Sequence, residues 1–336
     1  MDYRVLGSSG LKVSPIWLGV LLFGTQTDEA EAGRIVGSAR AADVNCIDTA
    51  DVYGDGVSEK VTGQLIAADR ANWILASKVG NPMGIDPNAR GLSRRWIMRA
   101  VELSLQRLRT DWIDIYYFHR PDPHTPLEES VVAMADLVRM GKIRYFGLSN
   151  YRGWEIARVI EFCRAASLPA PVVCQPCYNA MTRMAEVEIF PACAHYGLGV
   201  VPYSPLARGV LTGKYAPGAA PAADTRAGRK DRRILETEFR HESLEIAQKI
   251  KAYGESRGMT AGQFALNWVL NNRIVTSVLA GPRTLAQWEE YLGALQHRFT
   301  AEDEAFINGF VASGHPSTPG FIDPMDPPTG RVPRVG

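Results

Sequence analysis

Short apolar runs rich in β-branched residues recur along the chain, at residues 16–20, 44–47, 73–77, 113–118, 143–148, 172–175, 199–202 and 275–280. Strands that are apolar on both faces belong to a sheet covered on both sides. Between the runs stand longer segments with helical spacing, at residues 28–42, 58–68, 93–108, 126–140, 154–166, 185–196 and 261–270, and another at 284–295 follows the last run. Several open on capping chemistry, such as Thr27 ahead of Asp28 and Glu29, and Ser93 ahead of RRWIMRAVELSLQRL. Strands joined by helices predict a parallel sheet. Eight such units in 336 residues predict an α/β chain whose sheet closes into a (β/α)8 TIM barrel rather than staying open and doubly wound, because count and length both match the closed form.

Two pieces stand outside the repeat. Residues 3–6 and 11–13 flank Gly7-Ser8-Ser9-Gly10 and read as an N-terminal β-hairpin ahead of the first barrel strand. A single barrel domain is expected over residues 1–313, followed by a Pro/Gly-rich tail, 314–336, too irregular for a core element. Such a tail either moves freely or folds back over a barrel mouth. Residues 216–233, APGAAPAADTRAGRKDRR, make a second excursion between the seventh strand and a helix opening near Glu242. Long loops on a barrel are usually functional.

A net charge of +1, from 37 basic and 36 acidic residues, gives no electrostatic case for nucleic acid or an anionic membrane surface. The opening MDYRVLGSSGLKVSP has no basic stretch followed by an apolar core, and no later window reaches the apolar length of a membrane span, so a cytoplasmic location is expected. The five cysteines, Cys46, Cys163, Cys174, Cys177 and Cys193, are an odd number set in apolar segments, which suits buried thiols better than a disulfide framework. Cys174 and Cys177 spell C-x-x-C, but without the short strand-to-helix setting of a redox pair or a second C-x-x-C for zinc.

On a barrel of this kind the active site forms where the strands end. Asp48 closes the second run, Tyr53 lies in the loop after it, Lys78 closes the third run and His119 the fourth. Singly, each has an ordinary structural reading as a turn cap, a surface side chain or a wall residue. Together on one rim they form a chemical set. An ammonium beside a phenol favours the phenolate and lowers the phenol's pKa, while a carboxylate holds the ammonium charged and in place. An imidazole beside the phenol can orient a carbonyl and stabilise the charge it gains. That set suits adding hydride to a carbonyl, with Tyr53 as the acid. A metal site from His119, Asp122 and His124 is the weaker reading, because a proline-containing loop offers no fixed ligand geometry, and no metal is expected.

Motifs spread over nearly the whole chain resemble the aldo-keto reductase family: IDTADVYGDGVSE, the Lys78 of ILASKVG, YYFHRPDP, GKIRYFGLSN, QPCYNAMTR, GLGVVPYSPLARGVLTGKY and LAGPRTLAQWEEYLGAL. The nearest resemblance is to bacterial members that share the YSPLxxGxLTGKY pattern with potassium channel β subunits. It implies a catalytic tetrad of Asp48, Tyr53, Lys78 and His119, the four rim residues already singled out. It also implies reduction of an aldehyde or ketone to the alcohol, with hydride from a nicotinamide.

No Gly-x-Gly-x-x-Gly fingerprint follows the first strand, so a Rossmann-type cofactor site is not expected. Barrels bind phosphate at the loops after strands seven and eight. Here those loops are Tyr203-Ser204-Pro205-Leu206-Ala207-Arg208-Gly209 and Gly281-Pro282-Arg283-Thr284, the second opening a helix whose N-terminus suits phosphate. The family resemblance implies that Ser149, Asn150 and Gln175 hold the carboxamide and that Tyr203 stacks on the ring, with Asp48 and Pro205 also at the cofactor. It places Ser204, Leu206, Gly209, Lys214 and Arg226 along the pyrophosphate, and Gly281, Arg283, Gln287 and Glu290 at the adenosine end. Arg283 is the candidate for a 2′-phosphate, so NADPH/NADP+ is favoured over NADH. The sequence departs from the family at Tyr291, where asparagine is usual near the adenine, at Val20, where threonine is common, and at Leu21, where a larger Trp or Met often stands.

Two alternatives stay open: a nicotinamide-sensing binding subunit resembling potassium channel β subunits, and oxidation of a sugar or alcohol by NAD(P)+. The expected partner is a small carbonyl or alcohol. Its identity rests with the loops at residues 21–27, 81–94 and 216–233 and with the tail, none of which carries a self-explanatory motif. No oligomer signature is visible.

Overall fold

The eight apolar runs assemble into one parallel sheet in the computed structural model of the chain, which describes residues 1–328. After a hairpin of β1 (Arg4–Val5) and β2 (Lys12–Val13), the barrel strands are β3 (Ile16–Gly19), β4 (Cys46–Asp48), β5 (Ile74–Val79), β6 (Ile113–Phe118), β7 (Ile143–Ser149), β8 (Val173–Gln175), β9 (Gly199–Val200) and β10 (Val278–Ala280). Their order in the sheet is β10-β3-β4-β5-β6-β7-β8-β9. Backbone bonds from Thr276 N to Val200 O (2.8 Å) and from Leu279 N to Pro202 O (3.0 Å) join the two ends, so the barrel closes. The chain is a (β/α)8 barrel.

The predicted helices are present with shifted ends. The first runs Glu29–Ala41 and is capped by Asp28, whose carboxylate accepts from Glu31 N at 2.8 Å. Thr27 is not the cap: its hydroxyl donates to Arg283 O at 2.8 Å, tying this turn to the loop after β10. Ser93 does cap Arg94–Leu108, accepting from Trp96 N at 3.3 Å. The segment expected to be helical from residue 185 begins instead with a short 3-10 turn, Met184–Glu186, and becomes α-helical at Ile189–Tyr196. The 216–233 excursion ends in a short helix, Arg232–Thr237, the helix expected near Glu242 runs His241–Ser256, and Ala301–Asn308 comes after the last barrel helix.

Two cores result. A large one lies between helices and sheet, and a smaller one fills the barrel with Trp17, Cys46, Ala76, Ile115, Val173 and their neighbours. The hairpin stoppers the bottom of that interior with Leu6 and Val13. Gly7 makes this possible: at φ +55 it presses on the strand starts, where a Cβ would fall 2.4 Å from Gly199 N. Arg4 fastens the hairpin by donating to Thr276 O at 3.0 Å.

Residues 314–328 fold back rather than standing free. Ser317 N donates to Met181 O at 2.9 Å, Asp323 pairs with Arg233 at 2.6 Å, and Asp326 pairs with Arg152 at 2.8 Å. The last eight residues of the expected tail, 329–336, lie outside the described residues.

Candidate active site

Alternation along each strand decides which side chains reach the barrel axis. Interior positions Trp17, Cys46, Ala76, Val173, Val201 and Leu279 are each followed two residues later by Gly19, Asp48, Lys78, Gln175, Tyr203 and Gly281. The candidate site is thus the top layer of the interior, at the C-terminal mouth. Asp48 and Lys78 lie inside β4 and β5, not beyond them, because the ladder still pairs Asp48 with Gly19 and Ala76, and Lys78 with Tyr117.

Lys78, fully buried, donates to Asp48 Oδ1 and to Thr49 O at 2.7 Å. Asp48 Oδ2 accepts from Gln175 Nε2 at 3.0 Å, so every polar atom of this ion pair has a partner. The Lys78 ammonium stands 5.0 Å from the centroid of the Tyr53 ring. Tyr53 meets His119 edge to face, with ring centroids 5.9 Å apart. The loop delivering Tyr53 doubles back sharply through Gly54, Asp55 and Gly56, all in the left-handed region.

The electrostatics correct one expectation. Burial raises the Tyr53 phenol above its ordinary pKa and outweighs the lowering by the Lys78 charge; Asp48 also raises it. Tyr53 therefore holds its proton across neutral pH. Burial works to lower the Lys78 pKa, but Asp48 and Tyr53 together leave it raised, so the ammonium stays charged. Burial, with Lys78 and Arg120 nearby, drives the His119 pKa well below its ordinary value. Its imidazole is neutral. Asn81 Nδ2 lies 2.9 Å from His119 Nδ1; the amide donates there, which leaves the imidazole hydrogen on Nε2.

The expected carboxamide group forms one network with this centre. Ser149 donates to Gln175 O at 2.8 Å, Asn150 Nδ2 donates to His119 O at 2.8 Å and to Ser149 Oγ at 3.2 Å, and Tyr203 OH donates to Asn150 Oδ1 at 2.8 Å. Beyond it, Ser204, Ala207, Arg208 and Gly209 all have positive φ, and Pro205 and Leu206 are buried in the same turn. Two of its N–H groups are used inside the turn, Ala207 N on Ser204 O at 2.9 Å and Gly209 N on Leu206 O at 2.8 Å. At Gly209, φ +95, a Cβ would stand 3.0 Å from Lys214 Nζ.

Lys214 sits among like charges. Burial and then Arg283, Arg229 and Arg226 lower its pKa, opposed by Asp224 alone. Arg226 is paired with Asp231 at 2.8 Å, whereas among the described residues the Arg283 guanidinium reaches only the Asp224 backbone carbonyl at 3.1 Å. A cationic cluster beside this turn fits the phosphates of a dinucleotide. Two expected contacts have other partners: Gln287 accepts from Arg283 N at 2.8 Å, and Glu290 accepts from Thr260 Oγ1 at 2.6 Å, at the start of the helix Ala261–Asn271. Gly281 is exposed beside Gly19 O.

The model of the Aldo/keto reductase family matches residues 15–312. The chain belongs to the aldo/keto reductase family. It is 34% identical over 331 residues to an uncharacterized oxidoreductase, YrpG, of Bacillus subtilis, covering 95% of this chain and 98% of the relative. A probable voltage-gated potassium channel subunit beta of Arabidopsis thaliana is 35% identical over 302 residues, 88% of this chain and 91% of the relative. An L-glyceraldehyde 3-phosphate reductase of Escherichia coli O157:H7 is 32% identical over 324 residues, 94% and 93% of the two chains. As an aldo/keto reductase this protein is an oxidoreductase. No helix among the described residues is long and apolar enough to cross a membrane, and those residues hold no group of three or more His, Cys, Asp or Glu disposed to bind a metal.

Where this aldo/keto reductase departs from the family pattern, Val20 is buried with its carbonyl accepting from Ser58, Leu21 is 40% exposed, and Tyr291 is buried. All five cysteines are free. Sequence reasoning missed Asn81, which fixes the His119 tautomer, and Asn179, which donates to Ser204 O at 3.0 Å and braces that turn. It also missed Asp51, buried three residues beyond Asp48 with neither oxygen bonded.

Proposed function

We propose that this protein reduces an aldehyde or ketone to the alcohol with NADPH, using Tyr53 as general acid. The observation that carries the proposal is the fully buried Lys78, joined to Asp48 and lying against the Tyr53 ring beside a neutral His119. The dinucleotide, when bound, supplies the hydride. Ser149, Asn150 and Gln175 would hold its carboxamide, Tyr203 would line its ring, Ser204 to Gly209 with Lys214 and Arg226 would receive the pyrophosphate, and Arg283 the 2′-phosphate.

His119 Nε2–H donates to the carbonyl oxygen, orienting it and stabilising charge as it develops. A neutral imidazole suits that task, since it donates a hydrogen bond without giving up its proton. Tyr53 transfers its proton to the same oxygen, and the Lys78 charge stabilises the phenolate that remains. Asp48 keeps Lys78 charged and in place. The raised phenol pKa keeps the acid loaded between turnovers.

A second reading is a nicotinamide-binding subunit with little turnover, favoured by the relatives named as probable potassium channel subunits beta. Running the same groups backward would oxidise an alcohol. Multiple-turnover NADPH oxidation over a carbonyl panel that includes glyceraldehyde 3-phosphate separates these readings. Tyr53→Phe is expected to keep cofactor affinity and lose about 10²–10⁴-fold in turnover. Near-normal carbonyl reduction by that variant would sink the mechanism, and tight NADPH binding without turnover in the parent protein would favour the sensor.

A further inference from the structure

The loop that carries Tyr53 to the rim has a second side. Behind it lies a cavity of about 420 Å³, bounded by that loop, by residues 83–89 and by one face of the helix Arg94–Leu108. Its size falls in the range of small-molecule sites, roughly 300–1,000 Å³. Met83, Trp96 and Leu103 make an apolar wall, and Asp51, Asp55 and Asp86 line it as carboxylates.

Asp51 is 1% exposed, and neither of its oxygens meets a well-aligned hydrogen-bond partner among the described residues. A buried carboxyl so poorly served is costly. Burial, together with the neighbouring Glu59, pushes its pKa up to about 8 against the opposing pull of the Val52 N–H and of the Arg107 and Lys78 charges. Trp96 Nε1, on the same wall, is likewise buried and unpartnered. Two basic groups also line the cavity, Arg99 and Arg107; Arg107 is paired with Glu59 at 2.6 Å and offsets only part of the upward shift at Asp51. The lining thus sets Asp55 and Asp86 beside Asp51, a buried carboxyl that largely keeps its proton at neutral pH.

We propose that this cavity binds a small organic cation, an ammonium or amidinium on an apolar body, whose charge pairs with Asp51. The apolar part would rest on Met83, Trp96 and Leu103, and the cation would supply the donors that Asp51 lacks. At neutral pH the empty cavity holds Asp51 largely protonated, so an ammonium binds by displacing that proton to solvent, and the charge-assisted bond to the resulting carboxylate selects for positive charge over a neutral ligand or an anion. The site is distinct from the rim and does not depend on the carbonyl-reduction reading. The ligand would touch the back of the loop whose front presents Tyr53.

The test uses full-length protein saturated with NADP+, labelled with ¹⁵N at tryptophan, and titrated with three probes of one shape: 2-phenylethylammonium, 2-phenylethanol and phenylacetate. The Trp96 indole signal, assigned with Trp96→Phe, reports from the cavity itself. Expected is saturable movement of that signal by the ammonium, at least tenfold tighter than by either other probe, with the preference lost in Asp51→Asn. An unmoved Trp96 signal, equal affinity for the three probes, or a preference surviving in Asp51→Asn overturns the proposal. Should Asp51→Asn not fold, Leu103→Phe narrows the cavity with Asp51 intact. It is expected to weaken ammonium binding at least fivefold, and unchanged affinity there counts equally against the site.

Discussion

Replacing Lys78 by methionine isolates the contribution of the buried ion pair. The substitution keeps side-chain length and removes the donors to Asp48 and to Thr49 O, leaving Asp48 with the neutral Gln175 amide as its side-chain partner. Removing one partner of a buried pair costs about 3–5 kcal/mol. At pH 8, without cofactor, an m-value of about 3 kcal/mol/M translates the loss into a fall of about 1–1.7 M in the urea midpoint. Asp48→Asn/Lys78→Met, which removes both charges, is expected to recover at least half of it, giving a coupling energy from the double-mutant cycle. Equilibrium urea unfolding of the four proteins provides the measurement. A Lys78→Met midpoint equal to that of the parent, or a double variant no better than the single, refutes the claim that the charges sustain each other.

The low His119 pKa means that below about pH 6.5 the unfolded chain binds a proton there that the folded chain refuses, so stability falls as pH drops through that window. His119→Asn should flatten this acid limb in pH-dependent denaturation; an acid limb of unchanged slope in the variant argues against His119 as its source. Asp51 has the opposite sign. With a folded pKa of about 8 and an unfolded value near 3.9, the unfolded state gains stability from deprotonation as pH rises between the two. Asp51→Asn should therefore be more stable than the parent at pH 8, with the gap closing toward pH 4, and equal melting curves at both pH values would refute that reading. Arg283→Ala should weaken NADP+ binding about 10–100-fold, the value of a hydrogen bond between charged groups, and leave NAD+ nearly unchanged; an unaltered ratio in fluorescence titration argues against Arg283 as the phosphate contact.

Much of this organisation is legible in the sequence because it follows local periodicity. The eight runs are visible as apolar stretches, and the rim residues stand out because polar groups such as Asp48 and Lys78 terminate runs that are otherwise apolar. Strand ends are less legible. Lys78 pairs with Tyr117 across the ladder, so β5 extends beyond its apolar part under the control of its neighbour. The helix Ala301–Asn308, where Phe306 stacks on Tyr253 at 3.9 Å, has too short a periodic pattern to stand out. The net rise of the Tyr53 pKa reflects burial, which no residue spacing reports. Asn81 and Asp51 were invisible for a related reason: one matters because His119, far along the chain, comes to lie against it, the other because nothing does.

The placement of the proposed reactive groups on the uppermost rung of the barrel interior has an evolutionary consequence. Asp48, Lys78 and Gln175 are held by the same inward-facing files that carry Cys46, Ala76 and Val173. A mutation that slipped one strand by a single residue would turn its reactive group outward and its lipophilic neighbours with it, so the folding apparatus and the chemistry stand or fall together. The loops that carry no proposed site residue answer to neither constraint, and selection can rewrite them for a new metabolite while the candidate centre is inherited unchanged.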